Sequence, residues 1–342
     1  MKPKRPKPSV QADVLEALKL RGAESTLMDC RLEFMDLEGT RRYVAAMEGQ
    51  ERVYPTMLPT QASGRWSTKE PPLVNFPSSI RDVVGPDSDE WALHWDWDSA
   101  EARLFIGYVG DQEDLTAIAR GEDLHAKTAQ LIFGRDNGPY RQAAKNLRFA
   151  VLQYGTNERA ASTIRDIEKL GMTREQLYAK ARQLLQSKPK YIAWKLKAWG
   201  EAIEEGVSRT FLGRKRRLFP TAREKQQWRE RKVPGDAGKE GLNHRIQGAI
   251  ADMMNETLIQ ICLHLYPGQA RLLVNRHDGA EVGFPMSLKP EDVVPCVTPV
   301  IARYWEIEGR QVPITADGQV WWNGERRPVR FECPEVAESV AV

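Results

Sequence analysis

The chain has 342 residues, 41% hydrophobic and 28% charged, which suits two or three lobes around a sizeable core and excludes disorder as its general character. Its 50 Lys and Arg stand against 47 Asp and Glu, so bulk charge cannot argue for a nucleic-acid partner and only local clustering can. Cys30, Cys262, Cys296 and Cys333 lie at neither metal-ligand nor disulfide-framework spacing, which fits a reducing interior, and no secretory signal or membrane-length apolar run is present.

In chain order, Met1 to Pro8 is basic and proline-rich, the composition of a flexible arm. Leu15, Leu18 and Leu20 predict a short helix, and a second is expected from about Leu32 to Met47. Gln61 to Pro86, rich in Ser, Pro and Gly, is expected as an extended segment carrying Arg65 and Asn75. Trp91, Leu93 and Trp95 then alternate with Ala92, His94 and Asp96 at the period of a strand. The period turns helical through Ala100, Leu104 and Tyr108, so Asp96 falls at a strand end. From Glu122 to about Leu196 the pattern is helical, with breaks at Gly134 to Pro139, near Gly155, at Gly171 to Thr173 and around Pro189. That predicts a helical lobe inserted into the strand-bearing one. Thr210 to Lys232 is a basic cluster with Phe211, Phe219 and Trp228 interleaved, the best local nucleic-acid signal. Beyond a glycine-rich loop near Pro234 to Gly238, Ile246 to Leu265 is helical, and Arg271 to Phe284 reads as a hairpin turning at Asp278-Gly279.

A lone strand-end aspartate is about as often a turn former as a ligand. Two carboxylates at adjacent strand ends repel each other unless divalent cations lie between them, an arrangement that activates a hydroxyl and stabilises a leaving phosphate. Asp96 and Asp278 are read as such a pair, and Mg²⁺, a hard ion that prefers oxygen ligands, suits it. Arg141, Lys145 and Phe149 are spaced i, i+4, i+8 and line one helix face, with a drift of about 40° per step. Cations there would meet phosphates while the ring meets a base or sugar, although the same spacing describes a solvated basic face. The basic cluster from Thr210 reads either as a nucleic-acid surface or as a solvated face, Glu101 either as functional or as a solvated charge, and His277 either as functional or as a packed turn residue. Ser/His/Asp, CxxC and glycine-rich phosphate-loop signatures are absent in usable form.

These motifs, in this order, resemble the family A DNA polymerases of bacterial and phage type over roughly Pro8 to Trp322. Asp96-Trp97 with Glu101 and Arg103 is similar to the first carboxylate motif of that family, Arg141 through Gly155 to its nucleotide-binding fingers helix, and His277-Asp278 to its second carboxylate motif. Arg65 to Pro77 resembles the primer-template segment, Asp123-Leu124-His125 the start of the fingers, and Thr210, Gly213-Arg214, Arg216, Asn243, Gln247-Gly248 and Asp252 fall in register. The resemblance implies an α+β right-hand fold in which an antiparallel palm sheet carries the metals and a helical fingers subdomain is inserted. It divides the chain into a basic arm (1–11), a thumb remnant with the start of the palm (12–62), palm with the first carboxylate motif (63–115), fingers and basic connection (116–240), palm with the second motif (241–324) and a tail (325–342).

It also implies a template-directed DNA polymerase, with two Mg²⁺ ions, for which Mn²⁺ could substitute, on Asp96, Asp278 and the backbone carbonyl of Trp97. Arg141, Lys145 and His125 would grip the triphosphate, with Lys145 a candidate proton donor. Phe149 would line the nucleotide site, Glu101 would exclude a ribose 2′-hydroxyl, and Tyr154 would stack at the templating position. Arg65, Asn75, Asn243, Gln247 and His277 would contact the primer-template duplex.

Three departures qualify these implications. Five residues separate Phe149 from Tyr154 where the family has four, so either a bulged turn absorbs the extra residue or Gln153 takes the stacking place. Gly279 stands where an acidic residue usually follows His-Asp. The matching span leaves no room for exonuclease domains and little for a thumb, which implies no proofreading and low processivity unless a processivity factor or a separate thumb or exonuclease subunit assists. A cytoplasmic, nucleoid-associated setting in a bacterial or phage-infected cell is expected. The alternatives are a catalytically degenerate DNA-binding module that needs a partner and a single-subunit RNA polymerase, against which Glu101 argues.

Overall fold

The computed structural model describes residues 38, 40–45, 47–59, 61, 63–76, 85–155, 157–164 and 170–334. The basic arm, the helix expected around Leu15 to Leu20, Cys30, Pro77 and half of the stretch expected as helix from Leu32 to Met47 lie outside the described residues. Two compact units are formed, one from residues 1–58 and 67–85 and the other from 59–66 and 86–342. In the first, residues 40–45 are helical, and the Tyr43 ring lies 5.1 Å from that of Phe76. A short hairpin pairs β1 (Thr56–Leu58) with β2 (Ser67–Lys69), and a single 3-10 turn, Leu73–Asn75, ends with Asn75 exposed.

The second unit is built on β3 (Glu90–Trp97), the central strand of a five-stranded antiparallel sheet. The alternation read in the sequence decides its faces. Trp91, Leu93, Trp95 and Trp97 are buried on one side, while His94 is half-buried and Asp96 exposed on the other. The indole N–H groups of Trp91 and Trp97 donate to the Leu288 and Ile301 carbonyls at 2.7 and 2.8 Å. Each tryptophan thus buries its large apolar body, worth roughly 3 kcal/mol, without orphaning a donor.

On one flank of β3 lie β7 (Gly279–Pro285) and then β6 (Arg271–Asn275), the hairpin expected around Asp278. On the other flank lie β10 (Ala316–Trp322) and β11 (Glu325–Phe331). The division that sets residues from 325 aside as a tail therefore needs correction, because Glu325–Phe331 pairs residue for residue with β10 at the sheet edge. Its sequence hid the strand. Edge strands carry charges and tolerate proline, and here four of seven residues are charged and Pro328 sits mid-strand. A second hairpin, β8 (Arg303–Ile307) with β9 (Arg310–Ile314), was not expected either.

Helices follow the predicted breaks. The chain leaves β3 through a turn at Asp98-Ser99 into α1 (Ala100–Val109), then α2 (Gln112–Ala119), α3 (Leu124–Phe133) and α4 (Gly138–Leu147). Beyond a wider π-wound segment, Arg148–Gln153, and a 3-10 turn, Glu158–Thr163, come α5 (Arg174–Ser187) and α6 (Pro189–Glu204). The side chains of Asp111, Asp123 and Thr173 cap α2, α3 and α5 by accepting from backbone N–H groups of the first turn. A small hairpin, β4 (Val207–Arg209) with β5 (Lys215–Arg217), and α7 (Ala222–Arg231) precede α8 (Gly235–Asn243) and α9 (Ala249–Ile259). Among the described residues no helix is long and apolar enough to cross a membrane.

Candidate active site

Sheet register brings the two expected carboxylates to one place. Asp96 is the penultimate residue of β3 and pairs with Gly279, and the Trp97 N–H donates to the Asp278 carbonyl at 2.8 Å. Asp278 occupies the turn between β6 and β7. There His277 adopts a left-handed φ of 76°, a strained conformation for a non-glycine residue, and its N–H donates to the Asn275 side chain at 3.1 Å. Burial raises the Asp278 carboxyl above its ordinary range, and Arg65 and Lys145 only partly offset the rise. Among the described residues Asp278 forms no ion pair, and the pull of Arg65 and Lys145 leaves its carboxyl raised, a balance that a divalent cation would relieve. These residues fit the implied metals.

Gly279 explains the missing acid beside them. A Cβ there would lie 2.5 Å from the Trp95 carbonyl oxygen and 3.2 Å from an Asp96 carboxylate oxygen, so the close β3–β7 pairing leaves no space for a side chain.

Arg141 and Lys145 are exposed on α4 while Ala143, Ala144 and Leu147 turn inward, as the expected face requires. Arg141 pairs with Asp123 at 2.5 Å, which holds it beside the start of α3, where His125 is buried. Burial first, then the nearby cations Arg148, Lys145 and Arg141, push His125 down to about 4, with Asp123 opposing. The imidazole is therefore neutral at physiological pH.

The extra residue is absorbed by winding. Arg148–Gln153 adopts π geometry, and the Tyr154 N–H donates to the Phe149 carbonyl, five residues back, at 3.2 Å. Phe149 and Tyr154 stay together, ring centroids 6.0 Å apart. Gln153 is fully buried, which removes it from the stacking place considered as an alternative.

Tyr154 also meets Glu101. The tyrosine hydroxyl donates to one Glu101 carboxylate oxygen at 2.8 Å, and the Arg65 guanidinium donates to the other at 2.7 Å. A loop, the first turn of α1 and the end of the π-wound segment that follows α4 thus converge on one half-buried carboxylate. Gln247 hydrogen-bonds Tyr154 from a second π segment, His244–Gly248, that continues α8 from Asn243. Asn75 belongs to the other compact unit, where it is exposed.

Three of the nine basic residues of the cluster are engaged in internal ion pairs. Arg214 pairs with Asp252 at 2.8 Å and donates to the Ser63 and Gly248 carbonyls, Arg216 pairs with Glu240 and Arg229 with Glu204, and Trp228 is buried. Phe219, 87% exposed, is the part of the aromatic pattern left for a partner.

The sequence reading missed a buried network behind α4. Arg148 donates to Asp114, to the Tyr191 hydroxyl and to Thr128, and the Lys188 ammonium reaches Asp111, Glu113 and Asp114 at 3.2, 3.0 and 2.9 Å. Those three carboxylates lie close enough to hold a metal. Lys188 and Arg148 already pair with them and offset two of their three negative charges, so the cluster acts as a structural hub.

Comparison with known proteins follows the same lines. The family model for DNA polymerase family A matches residues 1–320. The thermostable DNA polymerase I of Thermus filiformis is 30% identical over 227 residues, covering 64% of this chain and 26% of that protein. That of Thermus thermophilus is 27% identical over 337 residues, covering 92% of this chain and 38% of the relative. The chain thus spans between a quarter and two fifths of the length of these relatives. Among solved structures, the polymerase domain of Pol1 from M. smegmatis, in complex with DNA primer-template and dNTP, superposes with a TM-score of 0.74 at 20% identity, covering 94% of this chain and 58% of that one. The antiparallel sheet with its helical lobe is therefore the right-hand fold of that polymerase domain.

Proposed function

From the premise that the chain belongs to DNA polymerase family A, we propose that it is a template-directed DNA polymerase that adds deoxynucleotides to a primer 3′-hydroxyl. The observation that carries this reading is the register that sets Asp96 beside Asp278 at the strand ends, with Lys145 of the nucleotide helix and Arg65 near enough to act on the Asp278 carboxyl.

Asp96, Asp278 and the Trp97 carbonyl would hold two Mg²⁺ ions, for which Mn²⁺ could substitute; these would ease loss of the primer hydroxyl proton and steady the departing pyrophosphate. Lys145 and Arg141 would receive the triphosphate, and Lys145 would give a proton to the leaving group. Arg141 must first exchange Asp123 for phosphate, which costs little because that pair is nearly half exposed. His125, held neutral, meets the triphosphate as a hydrogen-bond donor rather than as a cation. Glu101, fixed by Arg65 and Tyr154, crowds the position of a ribose 2′-hydroxyl, and Tyr154 offers its ring to the templating base. Arg65, Asn75, Asn243, Gln247 and His277 contact primer-template DNA. A processivity factor or a separate thumb or exonuclease subunit would complete the task, in the cytoplasm and at the nucleoid.

Extension of a labelled primer on a longer DNA template with Mg²⁺ tests the reading. Wild type is expected to extend with deoxynucleotides only, and Asp96→Ala and Asp278→Ala to lose extension by at least about a thousandfold while still binding DNA. Equal extension by the variants would sink the site assignment. Tight binding without extension by wild type would favour the DNA-binding module, and a ribonucleotide preference the RNA polymerase.

A further inference from the structure

Winding α4 out into a π turn has a cost in backbone hydrogen bonds, because carbonyls at the end of the wound segment lose regular helical partners. The chain meets this cost from a different helix. Lys195 of α6 is 1% exposed, and its ammonium donates to the Val151 carbonyl at 2.9 Å and to the Gly155 carbonyl at 2.7 Å. Trp199, one turn further along α6, lies under the ammonium at 5.6 Å. The two carbonyls bracket Tyr154, whose hydroxyl reaches Glu101. Gly155 is held as tightly, since a Cβ there would lie 2.1 Å from the Ala150 carbonyl oxygen.

We propose that Lys195 is a positioning residue of the nucleotide site: by closing the carbonyls on either side of Tyr154 it fixes the wound turn, and with it the Tyr154–Glu101 contact that selects the sugar. The proposal rests on the polymerase reading for its consequence in selectivity, but not for its structural part. A buried cation is expensive to keep. Desolvation alone lowers the Lys195 ammonium to about 7, with no carboxylate offsetting it. A methionine would fill the same space without that penalty, so what lysine adds is its N–H donors.

Lys195→Met removes the donors and keeps the stem. Two measurements on it separate positioning from packing. In the apo protein, native-state hydrogen exchange is expected to quicken about tenfold or more at the Leu152 to Tyr154 amides, with the strand amides of β3 and β7 unchanged. In primer extension, KM for the deoxynucleotide is expected to rise and the preference for deoxy- over ribonucleotide to fall about tenfold, with kcat less affected. Lys195→Gln, which retains N–H donors at one atom's shorter reach, is expected to recover part of both effects, and it takes the place of the methionine variant if that one does not fold. Wild-type exchange and wild-type sugar preference in the folded variant would overturn the proposal. Should the wild type itself extend no primer, the polymerase reading fails, and the exchange measurement still decides whether Lys195 holds the turn.

Discussion

The strand-end carboxylates and the nucleotide helix face the same substrate in this reading, yet they hold their geometry by opposite means. In the sheet, position is set by register: Asp96 opposes Gly279 because every pair from Glu90 and Pro285 onward is in step, and a slip of one residue would turn the whole apolar face outward. In the helix, register has already been broken by the π turn at Arg148–Gln153, and position is recovered by side chains reaching in from other helices. The β3–β7 pairing that carries the site takes no extra residue, and the extra residue of the neighbouring hairpin falls in β6, between Leu272 and Val274. A helix end tolerates one, provided buried polar groups restrain it.

The largest effect is therefore expected behind the helix. Arg148→Met removes a fully buried guanidinium and leaves Asp114 with Lys188 and Tyr191 but without one of its two counter-charges, both of which lie at 2.9 Å. Breaking one partner of a buried pair costs about 3–5 kcal/mol, read as a fall in the denaturation midpoint together with weaker nucleotide binding. A loss below about 1 kcal/mol would mean that Lys188 alone holds the hub.

In the sheet the sharpest test is Gly279→Ala. The added methyl would meet the Trp95 carbonyl oxygen at 2.5 Å, a backbone atom that cannot swing away. Overpacking of this kind costs about 1–3 kcal/mol, and because it parts β3 from β7 it should also lower primer extension. A variant as stable and active as wild type would show that register is less rigid than the comparison holds.

How far each region was legible in the sequence follows from the same contrast. Period-2 alternation ending at Asp96, and a turn at Asp278, announce strand ends directly, and β3, β6, β7 and the helix breaks all lie where that pattern places them. Long-range polar contacts leave no such trace. Nothing local separates Lys195, 1% exposed, from Lys197, whose side chain is 70% exposed. A signal was present all the same. Tyr191, Lys195, Ala198, Trp199 and Ala202 recur at helical spacing, so Lys195 stands on the apolar stripe of α6 while Lys197 does not. The strands β8 to β11 were missed for a different reason: in β11 four of seven residues are charged around a mid-strand proline, and in β10 Gly318 and the adjacent Trp321 and Trp322 blur the alternation.

Lys195 also gives the helix a pH dependence above neutral pH. Its folded value of about 7 lies below the usual 10.5, so between those pH values the unfolded chain binds more protons and stability must rise with pH. From pH 7 to pH 9 the wild type should gain about 2 kcal/mol relative to Lys195→Met. Unfolding midpoints at the two pH values check this, and an unchanged difference would place the amine in a wetter setting than its burial implies.

The smallest effect is expected at the sheet edge, from Arg330→Ala on β11. Arg330 bridges Asp98 at 2.5 Å, Asp317 at 2.9 Å and Glu332 at 2.6 Å, and Asp98 lies two residues beyond Asp96. Yet the Asp98 turn does not depend on this arginine. The Asp98 N–H donates to the Thr315 carbonyl at 2.9 Å, the Thr315 hydroxyl donates to the Asp98 carboxylate at 2.6 Å, and Arg103 donates to the Asp98 carbonyl at 2.9 Å. An exposed arginine added to a turn already fixed by its strand partners should contribute less than about 1 kcal/mol, and that contribution should fade with salt. Denaturation midpoints of wild type and variant at low and high ionic strength measure it. A salt-insensitive loss above about 2 kcal/mol, or loss of extension at unchanged stability, would mean that the carboxylate end of the sheet also relies on a reaching side chain, and the contrast between register and restraint would no longer separate the two regions.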